Sequence, residues 1–436
     1  MWADRQAIGA SLSSPRDAGA MSAMSRPLQP GVLILVENLS VPFDRRVWLE
    51  ATTLRDAGFR VSVICPRGAE RDRETRVEVE GIAIYRYDLP AGAGGAWSYA
   101  REYGLAIART LALSIRVYRE RGFRVIHGCN PPDLFFAIAL LYRPLGVRYV
   151  FDQHDLSPET FLVRFGGRLA AVYRLLLVLE RWTFRTAHTV IATNQSLRDI
   201  ALRRGRVPAD RVFVVRTGPD FGRLRRVPPE PVLRWGHRFL VVYLGVMGPQ
   251  DGVDLAIRAA SIVVHARGRQ DVGFVFVGDG DYAPALRSMC ADLGLDEHAH
   301  FTGRVPDDTL VRYLSTADVC VSPDPANNLN EFHTMNKTME YMAMGKAVVA
   351  FDLKETRYSA GDAAAYVSPN DVGAFADEII ALLDDAERRE AMGQAGLRRV
   401  RSRLSWDHSK PALLAAYAHA FGDSRLAAPY GDDAAV

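Results

Sequence analysis

Lys337 and Glu340 stand three residues apart in NEFHTMNKTMEYMAMGKAVVAF (330–351), where a loop runs into a helix near Asn336, the helix ends at Gly345 and an apolar strand follows. A helix N-terminus carries free N–H groups and partial positive charge, so it suits a phosphate. Lys337 in the first turn adds a formal charge, and Glu340 on the same face can accept two hydrogen bonds from a ribose diol. The same spacing also fits an ordinary ion pair on a solvated helix. A second stretch, VVYLGVMGPQDGVDLAIRAA (241–260), passes from a strand through Gly245, Gly248 and Gly252 into a helix. Glycines let the backbone turn its N–H groups toward an anion at close range, although many such joints bind nothing. A third, VFDQHDLSPE (150–159), crowds Asp152, His154, Asp155 and Glu159 into one loop after a strand. That is where a doubly wound sheet places its ligands, and four ionisable groups there favour a functional loop over a merely exposed one. NLSVPFDRRV (38–47) and HGCNPPDL (127–134) add Asn38, Asp44, Arg45, Arg46, Asn130 and Asp133 after two further strands. No acidic pair or His/Cys group has convincing metal-ligand spacing, so no metal is expected.

The elements that must hold these loops alternate along the chain. GVLILV (31–36), RVSVICP (60–66), IAIYRY (82–87), RVIHGC (124–129), RYVFDQ (148–153), TVIATN (189–194) and RVFVVR (211–216) read as strands with helix-like sequence between them. A proline-rich polar stretch (223–238) interrupts, and a second series opens at FLVVYLG (239–245) and continues through GFVFVG (273–278), HAHFTG (298–303), VCVSP (319–323), KAVVAF (346–351) and AAYVS (364–368). Two such series predict an α/β chain of two Rossmann-like, doubly wound domains facing across a cleft. The expected boundaries are a disordered tail over 1–30, a first domain over 31–222, a linker over 223–238, a second domain over 239–405, a helix over 406–422 that packs back on the first domain, and a tail over 423–436. Met21 and Met24 leave the translation start open.

The 436 residues carry 54 Lys and Arg against 51 Asp and Glu, too even a balance for a nucleic-acid partner. The four cysteines are far apart and no apolar run reaches the ~20 residues of a membrane span, which fits a reducing cytoplasm. RFGGRLAAVYRLLLVLERWTFR (164–185) reads as one helix, apolar nearly all round, with Arg164, Arg168, Arg174, Arg181 and Arg185 along one edge. Basic heads on an apolar helix suit an anionic membrane surface, and a buried helix with one solvated edge explains them equally.

The segment 330–351 resembles the nucleotide-sugar site of glycosyltransferase family 4, retaining enzymes of the GT-B fold. Glu340 followed by YMAMGKAVVAF matches the second half of the family pattern, and TMNK-x-x-E-Y-M matches a subset associated with bacterial surface polysaccharides. The position eight before Glu340, where the family has its first Glu, is Phe332, and the acid is its neighbour Glu331. Family 4 also usually carries an Arg and a Lys in the glycine loop, where this chain has Val246 and Asp251. The resemblance implies a donor site of Gly245, Gly248, Arg304, Val305, Asn336, Lys337 and Glu340, with Glu340 on the ribose and Lys337 and Arg304 on the diphosphate. It implies that His154 orients the donor sugar from the first domain, with Glu331 beside it. Asn38, Asp44, Arg45, Asn130, Asp133, Asp155 and Glu159 would line the acceptor side. The implied reaction moves a sugar from a nucleoside diphosphate, UDP first, onto a sugar, lipid-linked or small-molecule hydroxyl, with no metal or other cofactor. Its implied setting is cytoplasmic, with peripheral contact at the inner membrane. A GT-B epimerase or phosphorylase and a non-catalytic relative that binds nucleotide sugars are the rival readings.

Overall fold

The computed structural model describes residues 30–68, 72–89, 96–165 and 170–423; the sequence tails lie outside them. The first domain contains β1 (Gly31–Leu35), α1 (Arg45–Asp56), β2 (Arg60–Pro66), β3 (Arg76–Val79), β4 (Ile82–Tyr87), α2 (Ala96–Glu120), β5 (Val125–Cys129), α3 (Phe135–Tyr142), β6 (Arg148–Gln153), α4 (Ser157–Phe165), α5 (Ala170–Thr186), β7 (Thr189–Ala192), α6 (Gln195–Arg203) and β8 (Val212–Val214). The second contains β9 (Phe239–Leu244), α7 (Val253–Ser261), β10 (Val272–Val277), α8 (Ala283–Asp292), β11 (Ala299–Gly303), α9 (Asp307–Thr316), β12 (Val319–Ser322), α10 (Asn336–Ala343), β13 (Ala347–Phe351), α11 (Lys354–Ala360), β14 (Ala364–Val367), α12 (Val372–Asp384) and α13 (Ala386–Arg399). The chain then returns in α14 (Trp406–Phe421).

The first sheet has eight strands in the order β3-β4-β2-β1-β5-β6-β7-β8, and the second has six in the order β11-β10-β9-β12-β13-β14. Every pairing is parallel except β3 with β4. In both sheets the strand order reverses beside the first strand, between β1 and β5 and between β9 and β12, and ligands bind at such switch points. Both faces of each sheet are covered, so the strands are apolar runs such as fully buried Leu33, Ile34 and Leu35. Each such side chain contributes about 1.5–3 kcal/mol by leaving water.

Three sequence expectations change. The helix expected over 164–185 is two helices, α4 and α5, so Arg164 stands on a different helix from Arg174, Arg181 and Arg185, and Arg168 lies outside the described residues. The antiparallel β3, four residues of alternating exposed and half-buried side chains, was too short and polar to stand out. The 223–238 stretch is packed rather than free. Backbone N–H groups of Val227 and Glu230 donate to the hydroxyls of Ser315 and Thr316, and Arg234 pairs with Asp318. Beyond the second domain, α14 lies on the first sheet. Trp406 Nε1 donates to Thr53 (3.0 Å), Arg148 donates to the Ala420 carbonyl (3.0 Å), and the Tyr417 hydroxyl meets His127 Nδ1 (2.8 Å).

Candidate active site

The glycine loop and the start of α10 converge at the switch point of the second sheet. Gly245 follows β9 with φ +154°, and a Cβ there would stand 3.3 Å from Lys337 Cε and 2.9 Å from the Tyr243 hydroxyl. A side chain would therefore have to occupy the space that Lys337 fills. Gly252 (φ +67°) turns the chain into α7 against the Pro323 carbonyl, where a Cβ would stand 2.0 Å away. Helix α10 is pinned to the strand ends by Tyr341, whose hydroxyl accepts from Leu244 N–H (2.7 Å) and donates to the Val321 carbonyl (3.2 Å). At its N-terminus Met335 offers no side-chain cap, which leaves the first-turn N–H groups of Asn336 and Lys337 for an anion.

Lys337 Nζ contacts Asp324 Oδ1 at 2.5 Å and lies 5.2 Å from the Tyr243 ring centre. Asp324 is buried and is itself bonded by the Ser322 hydroxyl (2.5 Å). Asp251 takes the place of a loop cation: its Oδ2 accepts from Gly248 N–H at 2.9 Å, the kind of backbone donor a phosphate would use. Burial pushes the Asp251 carboxyl up to about 6, against the opposing pull of Lys337.

Glu340 Oε1 is ion-paired with Arg223 and lies 3.7 Å from Arg45 of the first domain. Its Oε2 has no hydrogen-bond partner among the described residues. Burial raises the Glu340 carboxyl and Arg223 opposes the rise. Arg45 also pairs with Asp307, which reaches Arg223 at 3.3 Å, so a four-charge cluster bridges the two domains. Further contacts ring the cleft. Arg304 lies over the Phe43 ring (5.3 Å), His333 faces Asp155 (3.2 Å), and Asn194 donates to the Phe332 carbonyl (2.8 Å) and the Thr334 hydroxyl (3.0 Å). Val305 is half-buried beside the second core, and Glu331 sits on a short turn of helix at Asn330–Phe332.

On the first domain His154 is held from two sides. Its backbone N–H donates to Asn130 Oδ1 (2.7 Å), and its Nε2 meets Asp152 and, at 2.9 Å, Arg46 Nε. Its Nδ1 has no hydrogen-bond partner among the described residues. Behind it buried Arg46 donates to Asp152 (2.7 and 3.1 Å), the Val215 carbonyl (2.8 Å) and Thr217 (2.9 Å), and it lies 3.0 Å from a Glu50 oxygen that accepts no hydrogen bond. Burial alone would raise both buried acids. Arg46 and His154 instead hold the Asp152 carboxyl well below its usual range, and Glu50 is left well above its own. Ligand atoms of Glu50, Cys129, Asp152 and His154 lie within 4.8 Å of one another, a grouping that spacing in the sequence did not reveal. The Arg46 guanidinium already lies against two of its members, Asp152 and Glu50.

Several residues expected on the acceptor side also hold the local fold. Asp44 caps α1 by accepting from Val47 N–H (3.1 Å). Buried Asn130 organises the 154–155 loop through both of its amide atoms, donating also to Asp133 (3.1 Å). Glu159 pairs with Arg204 (2.5 Å), which also holds Glu180. Asn38 is exposed, Asp155 faces His333, and buried Asp133 has its carboxyl pushed up to about 6 by burial. Arg223, Asp324, His333 and Asn194 join the cleft without having been singled out. Arg223 stood in the apparent linker, and the other three gave no local pattern.

The chain matches two family models, the glycosyl transferase 4-like domain over residues 44–218 and glycosyl transferases group 1 over residues 238–385. It is 28% identical over 371 residues to alpha-D-kanosaminyltransferase of Streptomyces kanamyceticus, covering 80% of this chain and 92% of the relative. It is 28% identical over 385 residues to a GDP-mannose-dependent alpha-(1-6)-phosphatidylinositol monomannoside mannosyltransferase of Mycobacterium tuberculosis, covering 75% and 95%. Among solved structures, Anabaena HepE in complex with UDP-glucose superposes with a TM-score of 0.64 at 16% identity, covering 88% of this chain and 98% of that one. Fold and matches together define an enzyme, a glycosyltransferase of the GT-B fold. The two matched models fall one on each half of the chain, which favours a glycosyltransferase over the epimerase and phosphorylase readings.

Proposed function

We propose that this enzyme transfers a sugar from a nucleoside diphosphate, UDP first, to the hydroxyl of a sugar or lipid-linked acceptor, with retention of anomeric configuration. The observation that carries the reading is the convergence of the Gly245–Gly248 loop, Lys337 and Glu340 at one switch point. As the donor bond breaks, charge grows on the β-phosphate, and stabilising it is the main catalytic task. Lys337 and the uncapped N–H groups of α10 do this, with Arg304 closing from the side. The ribose diol takes the open Oε2 of Glu340, whose other oxygen Arg223 holds in place. His154, oriented by Asn130 and Asp152, presents Nδ1 to the donor sugar, and Glu331 lies on the same side. No protein nucleophile, metal or other cofactor is required. The contacts around the cleft exclude water, which suppresses donor hydrolysis. The acceptor belongs to cell-surface glycoconjugate synthesis on the cytoplasmic side of the membrane.

The nucleotide differs among the similar proteins: one relative's name specifies GDP-mannose, and the HepE complex holds UDP-glucose. Thermal-shift screening of UDP-, GDP- and dTDP-sugars decides it. Stabilisation by a UDP-sugar above the others supports the proposal, and preference for a GDP-sugar overturns the UDP assignment.

A further inference from the structure

The exposed edge of α5 is a single stripe. Arg174, Leu175, Val178, Arg181, Trp182 and Arg185 are all exposed, and at ~100° per residue they fall within about 120° of arc. Leu175 is 55% exposed, Val178 49% and Trp182 52%, and sharing one stripe they make an apolar patch, where scattered side chains would signify nothing. The only acid on the helix, Glu180, is buried and paired with Arg204 at 2.5 Å, so every charge on the stripe is positive. Helix α3 packs against α5 and ends in exposed Leu140 and Leu141; exposed Arg143 and Leu145 follow, and residues 135–145 contain no acid. Large apolar side chains interleaved with arginines of one sign match the headgroup zone of an anionic bilayer. The rings and leucines enter the acyl boundary while the guanidinium groups reach lipid phosphates. A second copy fits poorly, because a two-fold contact through this stripe would bring the arginines against one another.

We propose that α5, with the end of α3, is a membrane-docking face that binds bilayers of anionic phospholipid. The stripe belongs to a helical pair with α4, and α4 touches the Pro249–Asp251 turn of the donor loop, where Arg164 acts electrostatically on Asp251. Docking would therefore set the cleft beside the lipid surface, where a lipid-linked hydroxyl is presented. That last step rests on the proposed transfer reaction; lipid binding itself does not.

The test is co-sedimentation of the full chain with vesicles of phosphatidylcholine alone or mixed with phosphatidylglycerol. Binding is expected only to the mixed vesicles, lost in high salt, with a blue shift in emission that Trp182→Phe removes. The triple variant Arg174→Gln, Arg181→Gln, Arg185→Gln should bind roughly a hundredfold more weakly, at about fivefold per charge. The substitutions are on exposed positions, and an unchanged melting temperature checks that the variant is folded. Equal binding to both vesicle types, no binding to either, or full binding by the triple variant would overturn the proposal. So would a dimer in sedimentation velocity that Leu175→Ser with Trp182→Ser dissociates, since the stripe would then belong to a second copy. A chain that binds anionic vesicles but transfers no sugar contradicts only the transfer reaction. One that transfers sugar to a soluble acceptor and ignores vesicles contradicts only the docking face.

Discussion

Asp251 is the residue whose chemistry runs most against its setting. An acid that accepts the Gly248 N–H occupies a donor that a diphosphate would use, and as an anion it repels that diphosphate. Burial raises its carboxyl to about 6, so the charge disappears as the pH falls through that value. Donor affinity should therefore rise as pH drops from neutral to 5. A nucleotide sugar is the right probe, because its diphosphate diester has no group titrating in that range, whereas a terminal phosphate does. Asp251→Asn should tighten binding at neutral pH by roughly 1–2 kcal/mol, about five- to thirtyfold, and flatten the pH profile. Calorimetry across that range checks both, and a variant that binds more weakly would make Asp251 a positioning residue instead. Lys337 and Glu340 were legible in the sequence because both stand on one short helix. Asp324 and Arg223 were not, since they lie 13 and 117 residues from their partners and nothing local announces the pairing.

At the scale of elements, the buried charges around Arg46 join α1, β5, β6 and α14 into one unit. Arg46 and Glu50 come from α1, His127 from β5 and Asp152 from β6, while Tyr417 of α14 closes on His127. Removing the one guanidinium leaves two buried carboxyls without it, so Arg46→Ala should destabilise the fold by about 3–5 kcal/mol. Chemical denaturation would show this as a lower midpoint with the same slope. Because the Arg46 guanidinium stands against both Asp152 (2.7 Å) and Glu50 (3.0 Å), where a cation would bind, activity should persist in EDTA. Loss of turnover restored by magnesium or manganese would show that a cation belongs in the site. Most of the strands that build this frame were readable from apolar runs, because a parallel sheet covered on both faces demands them. The division into α4 and α5 had a signal in Gly166-Gly167, which reading 164–185 as one helix passed over, and β3 was too polar to stand out.

The whole molecule places its chemistry on two domains, and transfer requires the two to act together. His154 belongs to the first domain and is oriented there by Asn130 and Asp152. If it touches the donor sugar only as the transition state forms, His154→Ala should lower kcat strongly while nucleotide affinity stays nearly unchanged. Loss of affinity and thermal stability together, with normal turnover by the folded remainder, would instead assign it to the fold. The two-domain plan itself was legible from the repeat of strand and helix across the 223–238 break. The bridging cluster of Arg45, Asp307, Arg223 and Glu340 was not, because it forms only when the two halves meet. In the proposed reaction the donor nucleotide lies between the Gly245 loop and α10. Calorimetry of nucleotide binding to Lys337→Ala and Glu340→Gln tests it most directly. Loss of a charge-assisted hydrogen bond should weaken binding by about 1.5–3 kcal/mol in each variant, roughly ten- to a hundredfold. Affinity unchanged in both, with the variants folded, would contradict the placement of the site.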